Sequence, residues 1–135
     1  MDRTDVDQTD DGELQALVID DSRAMRLILG RVLRELGFQV TEATNGRDGL
    51  SQLEGGLSPS LILVDWNMPE MTGIEFVEAV RKPPYQSSAK VVMVTTETEV
   101  PQVRRALESG ADEYVMKPFT KESIFEKLQL LGLEM

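Results

Sequence analysis

Four apolar runs in the 135-residue chain give way abruptly to polar side chains of the kinds that handle phosphate. Leu14 to Ile19 runs into Asp20 and Asp21, Leu61 to Val64 into Asp65, Lys90 to Val94 into Thr95, and Glu113 to Met116 into Lys117. Taken singly, each ending is ordinary: an aspartate there is usually a helix cap or turn former, a threonine a strand residue, a lysine a solvated charge. Taken together they describe a site. If the runs are parallel strands, their carboxyl ends share one sheet edge, which is where open α/β sheets bind ligands. Three carboxylates packed together cannot all stay ionised without compensation, and a divalent cation together with Lys117 balances them. Oxygen-only ligands that leave room for water and phosphate point to Mg2+, or to Mn2+. The chemistry this permits is phosphoryl transfer to a carboxylate. Asp65 attacks phosphorus in line, the cation and Lys117 neutralise the equatorial oxygens, and the Thr95 hydroxyl donates to one of them. No Gly-rich loop leading into Lys-Ser/Thr occurs, so bound ATP is not the donor.

Composition closes off other chemistries. The chain contains no histidine, which removes Ser-His and Cys-His catalysis, His-ligated metals and a phosphohistidine donor role. It contains no cysteine, so there is no disulfide framework or thiolate metal site, as suits a reducing, cytoplasmic setting. The net charge of −10 disfavours nucleic acid, and no apolar run is long enough for membrane insertion. Half of that charge is local: six acidic residues against Arg3 leave −5 in residues 1–13. This polar stretch reads as an acidic disordered tail, and residues 14–135 as one domain.

The elements that must position the site alternate regularly. Leu14 to Ile19 is a strand; Ser22 then opens a helix to about Leu36, stopped by Gly37. On that helix Met25, Ile28, Leu29, Val32, Leu33 and Leu36 share a predicted buried side. Arg23, Arg26, Arg31 and Arg34 share the other, with Leu27 stray among them. Phe38 to Ala43 is a second strand, and Asn45 caps a helix ending at Gly55-Gly56. The run Leu61 to Val64 reads as a strand buried on both faces. Thr72 and Glu75 form a capping box for a helix ended by Pro83-Pro84. Lys90 to Val94 is a fourth strand, followed by a helix from about Val100 to Ser109. Glu113 to Met116 is a fifth strand, and Thr120 caps the last helix. Five strand–helix alternations predict a parallel sheet covered on both faces.

DD at 20–21, DWNMP at 65–69, VTTE at 94–97 and YVMKPF at 114–119, in that order and spacing, resemble the response-regulator receiver domain over residues 14 to about 133. DWNMP and the SRAMR…ELGF helix look most like the stand-alone chemotaxis type of that family. The resemblance implies a single-domain, doubly wound (βα)5 flavodoxin-like fold with strand order 2-1-3-4-5. It marks Asp65 as the phosphorylated aspartate, and Asp21, Asp65 and the backbone carbonyl of Asn67 as Mg2+ ligands, with Asp20 acting largely through water. Lys117 and Thr95 look like the phosphoryl-sensing pair, and Tyr114 like an aromatic that turns inward on activation. Asn67 and Glu97 stand where the family tunes acyl-phosphate lifetime. The Lys117–Pro118 bond is expected to be cis, the family's usual form.

The expected function is therefore a cytoplasmic, monomeric, stand-alone receiver. It would take phosphate from a histidine kinase and then bind a protein target through the fourth helix, fifth strand and last helix, catalysing only its own phosphorylation and dephosphorylation. A phosphorelay intermediate, passing phosphate to a histidine phosphotransfer protein, is the alternative. A magnesium-dependent phosphatase would want a second Asp two residues after its nucleophile, where this chain has Asn67. Thr96 is bulkier than the small residue many receivers carry after the sensing threonine, which would narrow access to Asp65. The arginine-rich face around Leu27 reads either as a solvated helix face or as a docking surface for the phosphodonor.

Overall fold

A computed structural model describes residues 14–66, 68–96 and 101–133, and the acidic segment 1–13 lies outside the described residues. Five strands alternate with five helices: β1 (Gln15–Ile19), α1 (Arg23–Glu35), β2 (Gln39–Ala43), α2 (Gly46–Glu54), β3 (Leu61–Asp65), α3 (Gly73–Arg81), β4 (Lys90–Thr95), α4 (Val103–Ser109), β5 (Glu113–Met116) and α5 (Lys121–Leu130). All strands pair in parallel, in the order β2-β1-β3-β4-β5. This is the flavodoxin-like order that the motif resemblance implies. Among the described residues no helix is long and apolar enough to cross a membrane.

Local chemistry explains most boundaries. The Ser22 hydroxyl accepts from Met25 N and the Asn45 side chain from Asp48 N, each satisfying a free donor of the first helical turn. Thr72 and Glu75 close a capping box at α3, and Thr120 and Ser123 close a second at α5. The chain reverses after α3 through Pro83-Pro84, whose peptide bond is cis.

Alternation along the strands divides the core in two. Leu17, Ile19, Ile62, Val64, Val91 and Met93 face α2, α3 and α4, and pack on Leu50, Phe76, Val77, Val80 and Ala106. Ala16, Val18, Leu61, Leu63, Val92, Val94 and Val115 face α1 and α5, against Leu29, Leu33, Ile124 and Leu128. Successive strands step one way from β1 to β2 and the other way from β2 through β5, so crossovers of the usual right hand place helices on both faces. All five residues of β3 are buried, as a strand covered on both faces must be.

The regular helix α4 begins at Val103, with Pro101 and Gln102 in a tighter 3₁₀ turn, and Val100, the expected start, lies outside the described residues. One expectation fails. In α1, Ile28 is 49% exposed instead of buried. The helix is rotated toward Arg26 and Gly30, and Gly30 is buried. A methyl group at Gly30 would stand 3.1 Å from the Arg34 guanidinium and 3.7 Å from Val40.

Candidate functional site

Strand register fixes where the chemistry gathers. Ile19 lies opposite Val64, Asp65 opposite Val94 and Thr95 opposite Met116. The carboxyl ends are therefore level, and Asp20, Asp65, Thr95 and Lys117 emerge on one rim. Backbone bonds lock the loops there: Asp20 N donates to Ala43 O, Trp66 N to Val94 O, and Lys117 N to Thr95 O at 2.7 Å. Gly73 N donates to Trp66 O, drawing the start of α3 under the rim. A Cβ at Gly73 would meet the Asp65 carbonyl at 2.8 Å and Met93 Cε at 2.6 Å, so the position admits only glycine without a shift.

Asp20 is 1% and Asp65 8% exposed, whereas Asp21 faces solvent. Carboxylate oxygens of the three lie within 4.8 Å of one another. Lys117 Nζ donates to Asp65 Oδ1 at 3.1 Å. Asp20 Oδ1 accepts from Ser22 N at 2.9 Å, but its Oδ2 is buried with no hydrogen-bond partner in the structure. Burial holds the Asp20 carboxyl above its usual range, against the Ser22 amide and Lys117, which favour the charged form. Burial, then the charge of Asp20, pushes Asp65 up to about 6 despite its bond to Lys117. A buried orphan oxygen beside two further carboxylates is a donor set suited to a hard divalent cation, and the residues fit Mg2+.

Arg26 is a supporting residue that the sequence periodicity had placed among solvated arginines. Its Nη1 donates to the Asp20 carbonyl at 2.8 Å and its Nε to Glu42 at 3.1 Å, bracing the loop that carries both aspartates. Only its short offset from Asp20-Asp21, about one and a half helical turns, could have suggested the link. Thr95 is fully buried, with its hydroxyl donating to the Thr96 carbonyl at 3.2 Å. The Lys117–Pro118 bond is cis, the form expected for it. Tyr114 is half-buried and packs against the cluster on the α2–α4 face. Asn67 and Glu97 lie outside the described residues.

Known proteins resemble the chain in sequence and in fold. The model of the response regulator receiver domain family matches residues 16–129. The chain is 39% identical over 117 residues to the chemotaxis protein CheY of Pseudomonas aeruginosa, covering 86% of this chain and 94% of that protein. It is 36% identical over 119 residues to the chemotaxis protein CheY1 of Helicobacter pylori, covering 87% and 96%. The solved structure of the chemotaxis response regulator CheY4 of Vibrio cholerae is similar at a TM-score of 0.79 and 33% identity, covering 88% of this chain and 98% of that one. A five-stranded parallel sheet in this order, an acidic rim with a paired lysine, and a family match across most of the chain agree: the protein belongs to the response regulator receiver domain family, in its CheY-like form.

Proposed function

We propose that Asp65 accepts a phosphoryl group from a histidine kinase, and that the protein is a chemotaxis-type signalling switch. The observation that carries this reading is the placement of Asp65, a solvent-reachable carboxylate at a strand end, bonded to Lys117 and beside the partnerless oxygen of Asp20. An Asp65 oxygen attacks phosphorus while the bond to the donor breaks, and the leaving group keeps the electron pair. Lys117 already neutralises one Asp65 oxygen and is placed to follow the charge onto the phosphoryl group. Mg2+ held by Asp20, Asp21, Asp65 and the Asn67 carbonyl would neutralise the remaining charge when bound. Thr95 and Tyr114 then report the phosphoryl group to a target-binding face on α4, β5 and α5 by shifting a pre-existing equilibrium.

The test uses Trp66, the chain's one tryptophan, next to the acceptor. Its fluorescence should change on adding Mg2+ and again with acetyl phosphate, with one phosphoryl group found by intact mass in the wild type and none in Asp65→Asn. A wild-type chain that takes up no phosphoryl group from acetyl phosphate and Mg2+ sinks the reading.

Donor docking has its own signature. Leu27 is 52% and Ile28 49% exposed, beside the exposed Arg23, Arg31 and Arg34, which makes an apolar patch in a basic setting near the acidic rim. Leu27→Glu should slow transfer from the phosphorylated kinase about tenfold or more while leaving acetyl phosphate uptake and the thermal midpoint alone. Equal slowing with acetyl phosphate would assign the effect to the site and not to docking.

A further inference from the structure

Outside the acidic rim, one cluster ties the aromatic of β5 to the last helix. Lys127 Nζ of α5 stands 4.6 Å from the centre of the Tyr114 ring. The same ammonium is 3.2 Å from Glu113 Oε1. That single carboxylate oxygen also accepts from Tyr114 N at 3.0 Å. Backbone, carboxylate, ammonium and ring thus form a closed loop: Glu113 is fixed by the backbone of the residue whose ring it covers through Lys127. Both charged side chains are largely sheltered, at 29% and 22% exposure, so their attraction is only partly screened. A cation over a tyrosine face is attracted to it, and a rotation of the ring out from under Lys127 forfeits that attraction.

We propose that Lys127 is a positioning residue for Tyr114: an ammonium, held by Glu113, that biases which orientation the ring occupies and so sets how readily the switch turns. This rests on the reading of Tyr114 as the switch aromatic. Lys127 touches neither Asp65 nor Lys117, so it acts on the response and not on the transfer step. The strength of an exposed-to-partly-buried cation–π contact corresponds to a shift of roughly two- to fivefold in a two-state ring equilibrium.

The experiment is 19F NMR of the full chain labelled with 3-fluorotyrosine, with Tyr85→Phe assigning the second tyrosine. Spectra of the wild type, Lys127→Met, Lys127→Arg and Glu113→Gln are compared without phosphodonor, and again with Mg2+ and acetyl phosphate. Lys127→Met should move the Tyr114 resonance and change its population-weighted position by about two- to fivefold in equilibrium terms. Lys127→Arg, which keeps a cation over the ring, should restore the wild-type spectrum, and Glu113→Gln should move it in the same direction as Lys127→Met. An unchanged Tyr114 resonance in Lys127→Met, with a wild-type melting curve, overturns the proposal, and so does a shift that Lys127→Arg fails to restore. If Lys127→Met alone failed to fold, Glu113→Gln would decide it by the same signal. Intact mass after acetyl phosphate reads the acceptor separately: no phosphoryl uptake defeats the Asp65 reading, while the ring clamp is decided by the spectra taken without donor.

Discussion

Asp65→Asn should make the metal-free protein more stable at about pH 7.5 by roughly 3 kcal/mol, even as it removes the proposed acceptor. The cause is the raised pKa of Asp65, lifted from 3.8 to about 6 by burial and by the charge of Asp20. With the folded value above the unfolded one, the native state holds a proton that the unfolded chain has released between about pH 4 and pH 6. Stability therefore falls as pH rises through that window, and the whole penalty is present above about pH 6. The side chain is only 10% exposed, in keeping with burial as the largest cause of the shift. Asp20 shifts the same way and adds to the slope. Urea melts in EDTA at about pH 4.5 and 7.5 provide the check: the variant's advantage should be large at the higher pH and mostly gone at the lower. Added Mg2+ should narrow the gap at about pH 7.5 by stabilising the wild type more than the variant. An advantage of the same size at both pH values would assign it to something other than the buried charge.

Arg81→Met should cost about 3 kcal/mol, a loss on the scale of truncating a buried core side chain. The guanidinium donates five hydrogen bonds: Nη1 to Ser87 O at 2.9 Å and Ala89 O at 2.7 Å, Nε and Nη2 to Gly110 O at 3.1 and 2.9 Å, and Nη2 to Asp112 Oδ2 at 2.8 Å. Asp112 Oδ2 in turn accepts from Val91 N at 2.8 Å. One side chain at the end of α3 thus fastens the loops leading into β4 and β5. Removing it leaves three carbonyls and a carboxylate to find water in a region where Arg81 is 23% exposed. Arg81→Lys should recover less than half of the loss, because an ammonium cannot reproduce the planar fork. Asp112→Asn combined with Arg81→Met should cost less than the sum of the two. A loss below about 1 kcal/mol in urea melts would mean that solvent substitutes freely for the guanidinium.

The contrast between these two sites shows what a sequence can disclose. Asp20, Asp65, Thr95 and Lys117 were legible because each ends an apolar run, and parallel strands must carry their carboxyl ends to one edge. The Thr72–Glu75 box was legible because its partners are three residues apart. Arg81 was not: it sits in the last turn of a helix before two prolines, where a basic residue reads as a dipole partner, and its acceptors lie up to 31 residues away. Arg26 and Ile28 were misplaced for another reason. Periodicity gives the width of an apolar stripe but not its rotation, and here buried Gly30 and the Arg26 bonds turn α1 away from the side its large residues suggested. Where Glu97 and Asn67 sit lies outside the described residues, so their reading rests on motif resemblance alone.

The Arg81 junction and the acidic rim stand at opposite ends of β3, a strand of five residues that spans about 16 Å. Substitutions that far apart and without shared partners add nearly independently. The molecule is therefore a two-ended device, with its fastening and its acidic rim at opposite edges of one sheet. Its fastening end can be strengthened or weakened by design without touching any side chain of the acidic rim, so stability becomes adjustable apart from the rim's geometry.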